Sequence, residues 1–272
     1  MAVQTVFARR ETKYIISSAA RARIERLLPY HMYPDEYGRS LVSSIYYDTP
    51  DYLLIRRSLD SPLYKEKLRL RGYGRVCDDS TVYAEIKKKF DMVVYKRRLG
   101  MNHTFARRYL SGGWSDSPIT NDQIEHELRY MLSRYQSLRP SAYVSCERQA
   151  YYAYEDRDFR VTFDENILGR TSELSLCAGA YGSELLDAGS VLMEVKSGSS
   201  IPLWFCQILS EERLYKSSFS KYGSIYRQLI VPDPKPLRQR VDAALGETTV
   251  CISGGERRPE EIAAISRNNC SV

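Results

Sequence analysis

Residues 64 to 71 read Tyr64-Lys65-Glu66-Lys67-Leu68-Arg69-Leu70-Arg71, and every second position carries positive charge. In an extended strand alternate side chains point to opposite faces, so Lys65, Lys67, Arg69 and Arg71 share one face while Tyr64, Glu66, Leu68 and Leu70 take the other. A helix would scatter the same residues around its circumference. The pattern predicts a strand with one basic face. It recurs in residues 81–89, where Tyr83, Glu85, Lys87 and Lys89 alternate with Val82, Ala84 and Ile86, and in 92–98, where Lys96 and Arg98 lie opposite Val93 and Tyr95. Arg160, Thr162 and Asp164 alternate with Phe159, Val161 and Phe163, and Glu194 and Lys196 with Val191, Met193 and Val195.

Further strands are expected at 5–16, 41–48 and 142–153, giving eight with 64–74, 81–89, 92–100, 158–164 and 191–197. Turn residues separate them: Asp78-Asp79-Ser80 between two strands and Phe90-Asp91 between the next two predict hairpins. Three helices are predicted. The first covers Ala19 to Leu28 behind a cap at Ser17 or Ser18, with Ala20, Ile24, Leu27 and Leu28 as its apolar stripe. The second starts near Asn121, with Ile124, Leu128, Met131, Leu132 and Tyr135 at helical spacing. The third runs from Pro202 through Leu203 to about Tyr215.

Any one charged row reads equally well as the wet face of an antiparallel sheet. Repeated over five strands, it points to a different architecture: an α+β, mainly β fold in which an eight-stranded antiparallel β-barrel closes with apolar faces outward under helices and charged faces inward. The interior is then a tunnel in place of a packed core. Lysines and arginines crowded into such a lumen repel one another unless an anion neutralises them, and guanidinium forks match phosphate oxygens. Interspersed glutamates offer hard oxygen ligands to magnesium or manganese. Together they describe a metal-polyphosphate site.

Composition limits the alternatives. The 272 residues are 43% hydrophobic and 27% charged, which excludes disorder, collagen and coiled coil. A net charge of +6 spread over many acids and bases favours a locally held anion over a nucleic-acid coat. The six cysteines are far apart, with no CxxC pair and no zinc-like spacing, so reduced thiols are expected. No run approaches a membrane span, and a soluble, cytoplasmic protein is expected. Residues 1–231 form the expected domain; from Pro232 to Val272 the prolines and polar residues read as a C-terminal tail. His31, His103 and His126 lie outside the charged rows and read as surface or packing residues.

These residues are similar to a known family. Glu11-Thr12-Lys13-Tyr14, Ser44-Ile45-Tyr46-Tyr47-Asp48-Thr49, Lys67-Leu68-Arg69-Leu70-Arg71, Glu85-Ile86-Lys87, Lys96-Arg97, Arg148, Arg160-Val161-Thr162-Phe163-Asp164, Glu194-Val195-Lys196 and Ser220-Lys221-Tyr222 follow the order and spacing of the VTC (vacuolar transporter chaperone) domain. Over residues 5 to 230 the chain resembles a bacterial polyphosphate polymerase of that family, within the triphosphate tunnel metalloenzymes. The resemblance implies transfer of the γ-phosphoryl group of ATP to a growing inorganic polyphosphate chain, with Mn2+ or Mg2+ and release of ADP.

Carried over, Arg69, Arg71, Lys87 and Glu194 are the catalytic set. Lys13, Arg69, Arg71, Lys87, Lys96, Arg148, Arg160, Lys196 and Lys221 bind substrate and product. Glu194 is the principal metal ligand, and Glu11 lies in the same tunnel on the metal, a water or a lysine. Phosphoryl transfer asks for positioning and charge neutralisation more than a nucleophile, so no histidine or cysteine is needed.

Three positions depart from the pattern. Arg9 replaces the first glutamate of the Glu-x-Glu-x-Lys opening of the wider tunnel family, as is usual for the VTC type. Cys146 stands where a tyrosine is common, and Ser217-Ser218-Phe219 where related polymerases carry another lysine. The early start of the strands also implies no SPX-type module ahead of them, and a membrane-protein partner if polymer is moved across a bilayer. Two alternatives share these residues: a tunnel triphosphatase that delivers the γ-phosphate to water, and a non-catalytic polyphosphate-binding module.

Overall fold

The computed structural model describes residues 10–60, 62–90, 93–113, 123–198 and 200–231. The chain divides into units Met1–Pro232 and Asp233–Val272, and the second, which holds the expected tail, lies outside the described residues. Strands are β1 (Arg10–Ser17), β2 (Met32–Pro34), β3 (Ser40–Asp48), β4 (Tyr64–Tyr73), β5 (Thr81–Phe90), β6 (Val93–Asn102), β7 (Arg139–Ala153), β8 (Arg160–Arg170), β9 (Ser183–Glu184) and β10 (Ser190–Ser197). Helices are α1 (Ser18–Leu27), α2 (Leu53–Leu59), α3 (His103–Leu110), α4 (Gln123–Tyr135), α5 (Leu203–Glu211) and α6 (Lys221–Ile225).

One antiparallel sheet runs β1-β10-β8-β7-β3-β4-β5-β6, with β2 added to β7 and β9 to β8. The main path thus has the expected eight strands. Among the described residues no backbone rung joins the two ends, so the sheet is not closed by hydrogen bonds. It curls nonetheless: Lys87 on β5 lies 3.3 Å from Glu11 on β1, although five strands separate them along the path.

The alternation read from the sequence decides both faces. Leu68, Leu70, Val82, Ala84 and Ile86 turn outward and pack under Ala106, Tyr109 and Leu110 of α3 and Leu128, Met131 and Leu132 of α4. Tyr14, Ile16, Val161, Phe163, Met193 and Val195 do the same under Ala20 and Ile24 of α1 and Phe205 and Ile208 of α5. Each fully buried Val, Leu, Ile, Phe or Met among them contributes about 1.5–3 kcal/mol. The outward face is not purely apolar. Buried Glu66 accepts from Tyr64 at 2.9 Å and Tyr135 at 2.5 Å, and Glu127 of α4 receives Lys88 and Arg97, both at 3.1 Å.

A third core corrects the expectation of an unpacked interior. Val42, Tyr46, Val144, Cys146, Ile167 and Leu192 project from the concave face and pack against Tyr222 and Ile225 of α6. Part of the cavity is therefore filled by a short helix from the chain itself. Asp48, fully buried, fixes this plug. It accepts from the backbone of Leu54 and Ile55 at the start of α2 and from the Tyr222 hydroxyl at 2.9 Å.

Residues 5–9 of the expected strand 5–16 and residues 121–122 of the helix expected near Asn121 lie outside the described residues; within them the strand is seen from Arg10 and the helix from Gln123. Two other boundaries differ for local reasons. The helix expected to reach Tyr215 ends at Glu211, where Arg213 turns left-handed (φ 51°) and Leu214 bonds back to Leu209. β8 runs past the expected end at Asp164 to Arg170, across a shift of register against β7 between Ser145 and Glu147. Asn166, with φ 47°, lies in that irregular stretch.

Candidate active site

The concave face gathers its charges around buried carboxylates. Glu85, 1% exposed, is met by four cations from the two flanking strands: Arg69 of β4 at 2.7 Å, Arg71 at 3.9 Å, Lys96 of β6 at 2.8 Å and Arg98 at 2.9 Å. Register explains the convergence, because Arg69 lies directly opposite Glu85 and Glu85 opposite Arg98. Burial works against the Glu85 charge, but Arg69, Arg71 and Lys96 overcome it and hold the carboxyl far below its usual range. Arg69 also donates to Tyr46 Oη at 3.3 Å. Burial would raise that phenol, yet Arg69, Lys67 and Arg71 bring it down to about 8.

A second cluster lies on β1, β7, β8, β10 and α6. Asp164 is held by both arms of Arg148, each at 2.6 Å, and by Lys221. Glu194 has looser neighbours: Lys13 and Arg148 at 3.4 Å, Lys221 at 3.8 Å and Lys196 at 4.0 Å. Glu11 lies 3.3 Å from Lys87 and 3.8 Å from Lys13. Burial opposes its charge, but Lys87, Lys196 and Lys13 outweigh burial and the repulsion of Glu194, taking Glu11 to about 2.

These distances separate two kinds of cation. Within the second cluster Arg148 and Lys221 lie at hydrogen-bond distance from Asp164, whereas the carboxylates beside Lys13, Lys87 and Lys196 stand 3.3 Å or more away. Arg160 stands one rung out, opposite Lys196, stacked over Tyr152 and 3.9 Å from Asp35. The structure thus brings Arg69, Arg71 and Lys96 into one cluster and Lys13, Arg148, Glu194, Lys196 and Lys221 into another. Lys87 and Glu11 bridge the curl.

Glu85, Asp164, Arg98, Lys67 and Tyr46 complete these clusters and were not among the expected site residues, although all lie in or beside the strand rows. Their alternation places them on the basic face; which of them touch is a matter of register. Cys146 does not line free space. It is buried against α6, and burial beside Asp164 pushes its thiol up to about 11. The Ser217-Ser218-Phe219 segment runs beside β1, where Ser217 donates to the Lys13 carbonyl at 2.7 Å and the Phe219 carbonyl accepts from the Lys13 ammonium at 3.1 Å.

The donor set fits a hard divalent cation at Glu194 and Glu11. Asp164 has its oxygens engaged at hydrogen-bond distance, while the neighbours of Glu194 and Glu11 stand 3.3 Å or more away, leaving lone pairs for a metal. Two carboxylates completed by substrate phosphates are an ordinary magnesium or manganese arrangement.

Residues 8–230 match the family described as VTC domain. The chain belongs to the VTC domain family. This VTC domain is 25% identical over 203 residues to vacuolar transporter chaperone complex subunit 4 of Trypanosoma brucei brucei, a match covering 60% of the chain and 26% of that relative. The chain therefore spans about a quarter of the relative's length. Among solved structures it resembles a putative adenylate cyclase from Bacillus halodurans, with TM-score 0.52 and 15% identity over 83% of this chain and 98% of that one. A putative adenylyl cyclase from Hippeastrum, described with a dominant triphosphatase activity, gives TM-score 0.49 and 14% identity over 83% and 96%. The Bacillus likeness shows that the VTC domain has the fold of that protein.

Because Glu85 is, among the described residues, the carboxylate paired with all four of these cations, Glu85→Gln is expected to lower stability by about 3–5 kcal/mol. Added tripolyphosphate should restore much of the loss, since an anion replaces the missing charge. Thermal melts with and without the anion check this. A variant as stable as the parent, or one indifferent to tripolyphosphate, contradicts the assignment.

Proposed function

We propose that this VTC domain is a metal-dependent polyphosphate polymerase that moves the γ-phosphoryl group of ATP onto inorganic polyphosphate and releases ADP. The observation that carries this reading is the length of the cationic row. Beyond the Arg69, Arg71 and Lys96 cluster the same face continues through Lys67, Lys65, Lys87 and Lys89, more positive charge than one triphosphate neutralises. A chain acceptor uses the remainder.

In this reading Arg69, Arg71 and Lys96 grip the triphosphate, and Lys13, Lys87, Lys196 and Arg160 steer the acceptor chain. Arg148 and Lys221, locked on Asp164, keep Glu194 in place. Glu194 and Glu11 hold Mn2+ or Mg2+, which when bound neutralises charge on the transferring phosphoryl group. Lining up two polyanions against their repulsion is the main catalytic task, and fixed cations perform it without a nucleophilic side chain. The curated relative is by name a complex subunit, and no helix among the described residues is long and apolar enough to cross a membrane. A cytoplasmic enzyme beside a membrane-protein partner fits both.

Incubation with ATP and manganese, with products resolved on a polyphosphate-stained gel and free phosphate measured in parallel, tests the reading. A ladder with ADP and little free phosphate is expected. Free phosphate without a ladder reassigns the site to a triphosphatase, and polyphosphate binding without turnover to a binding module.

Lysines lining the concave face give the site a pH dependence. Burial is the main cause that lowers Lys96 to about 7 and Lys67 and Lys196 to about 8. Each is cationic below its value and neutral above it, and a bound polyanion raises it again. Polyphosphate affinity is therefore expected to fall as pH rises from about 7 to 9, with proton uptake on binding. Calorimetry with a long chain, whose internal phosphates do not titrate in that range, in buffers of different ionisation heat reads both effects. Proton release, or tighter binding at pH 9, has the wrong sign.

A further inference from the structure

Two loops and the start of α3 meet beside the outer apolar core. Asp78 lies in the β4–β5 turn, His103 opens α3, and Cys177 lies between β8 and β9. Their ligand atoms converge: Cys177 Sγ is 3.5 Å from His103 Nδ1, His103 Nδ1 is 3.5 Å from Asp78 Oδ1, and Cys177 Sγ is 3.9 Å from Asp78 Oδ1. A tetrahedral zinc ion about 2.3 Å from sulfur and about 2.0–2.2 Å from nitrogen and oxygen spaces those atoms about 3.4–3.6 Å apart. The three side chains already stand near the corners of one face of such a tetrahedron.

The surroundings hold them there. His103 is fully buried, its backbone N–H bonds to Ser80 O at 2.9 Å, and both the N–H and the hydroxyl of Thr104 bond to Asp78 O at 3.1 Å. Val76 and Leu176, each two or fewer residues from a ligand, are buried in the same apolar core and anchor both loops. The imidazole carries no hydrogen bond at Nε2, and burial keeps it below its ordinary pKa, neutral and able to ligate. Asp78 and Cys177 are exposed, so an ion can enter and solvent can fill the fourth corner.

We propose that Asp78, His103 and Cys177 form a site for a thiophilic divalent cation, zinc above all, distinct from the hard-cation site at Glu194 and Glu11. A sulfur, nitrogen and oxygen donor set selects zinc over magnesium or manganese, which prefer oxygen alone. The ion would staple the β4–β5 turn and the start of α3 to the loop after β8, and so act on stability and not on phosphoryl transfer.

The test uses the full chain, reduced and stripped with a chelator, then titrated with cobalt(II) as a visible stand-in and with zinc(II). One equivalent of cobalt is expected to give tetrahedral d–d absorption with a thiolate-to-cobalt charge-transfer band, and zinc to displace it and raise the melting temperature. Cys177→Ser should abolish the band and the melting shift and weaken zinc by at least about tenfold. Asp78→Asn should weaken zinc while keeping the thiolate band. Cys146→Ser, Cys206→Ser and Glu194→Gln should leave the band intact, separating this site from the catalytic metal. A missing band in the parent, or a band that survives Cys177→Ser, overturns the proposal.

Discussion

Replacing Glu194 by Gln is expected to reduce ATP-dependent phosphoryl transfer by about 10²–10³-fold while metal-free binding of tripolyphosphate becomes tighter. The two effects have opposite signs for one reason. Glu194 is the loosely engaged carboxylate among Lys13, Arg148, Lys196 and Lys221, so losing its charge removes the proposed metal ligand and frees positive charge for the anion. The fold should persist, because Asp164 still holds Arg148 and Lys221. Rate measured against manganese concentration, with calorimetric binding of tripolyphosphate in chelator, separates the two. Normal turnover of the variant at trace metal would sink the ligand assignment, and weaker metal-free binding would sink the electrostatic account.

Arg69→Ala is the second large effect, with transfer expected to fall about 10²–10³-fold and the melting temperature to move little. Glu85 loses its shortest ion pair but keeps Lys96, Arg98 and Arg71, so no unpaired buried charge remains. A purely structural arginine would show the reverse, a large loss of stability with activity preserved in the folded fraction. The variant carries its own signature. Lys96 is lowered by burial and also by Arg69, so its pKa should rise when Arg69 is gone, and the decline of residual anion binding should move to higher pH. An unchanged pH profile alongside full activity would remove Arg69 from the site. Arg71→Ala should resemble it in activity, since Arg71 meets the same carboxylate from the next inward position of β4.

Strand periodicity was legible because it needs only local information. Lys65, Lys67, Arg69 and Arg71 had to share a face whatever they touched, and Leu68 and Leu70 had to seek cover on the other. Helices α1, α4 and α5 were legible for the same reason, through stripes long enough to show a period. Short helices were not. α2 and α6 are too short to show a period of their own; Asp48, a few residues ahead of α2, accepts from its start, and the same carboxylate holds α6 through Tyr222 far along the chain.

That one face of this chain is a dense cationic surface interleaved with carboxylates follows from the order of residues, because alternation is a property of the extended backbone alone. Its motifs determined the family. Which charges pair with one another was set by the packed fold. Arg148 and Lys221 are committed to Asp164 while Lys13, Lys87 and Lys196 remain loosely held, a distinction set by strand register and by the curl that brings β5 to β1. It also decided that part of the interior is filled by α6, and that Asp78, His103 and Cys177, without metal-like spacing in the chain, come together in space. Ion pairing and ligand convergence depend on distances of a few ångströms between residues far apart in sequence, and only the packed fold fixes those distances.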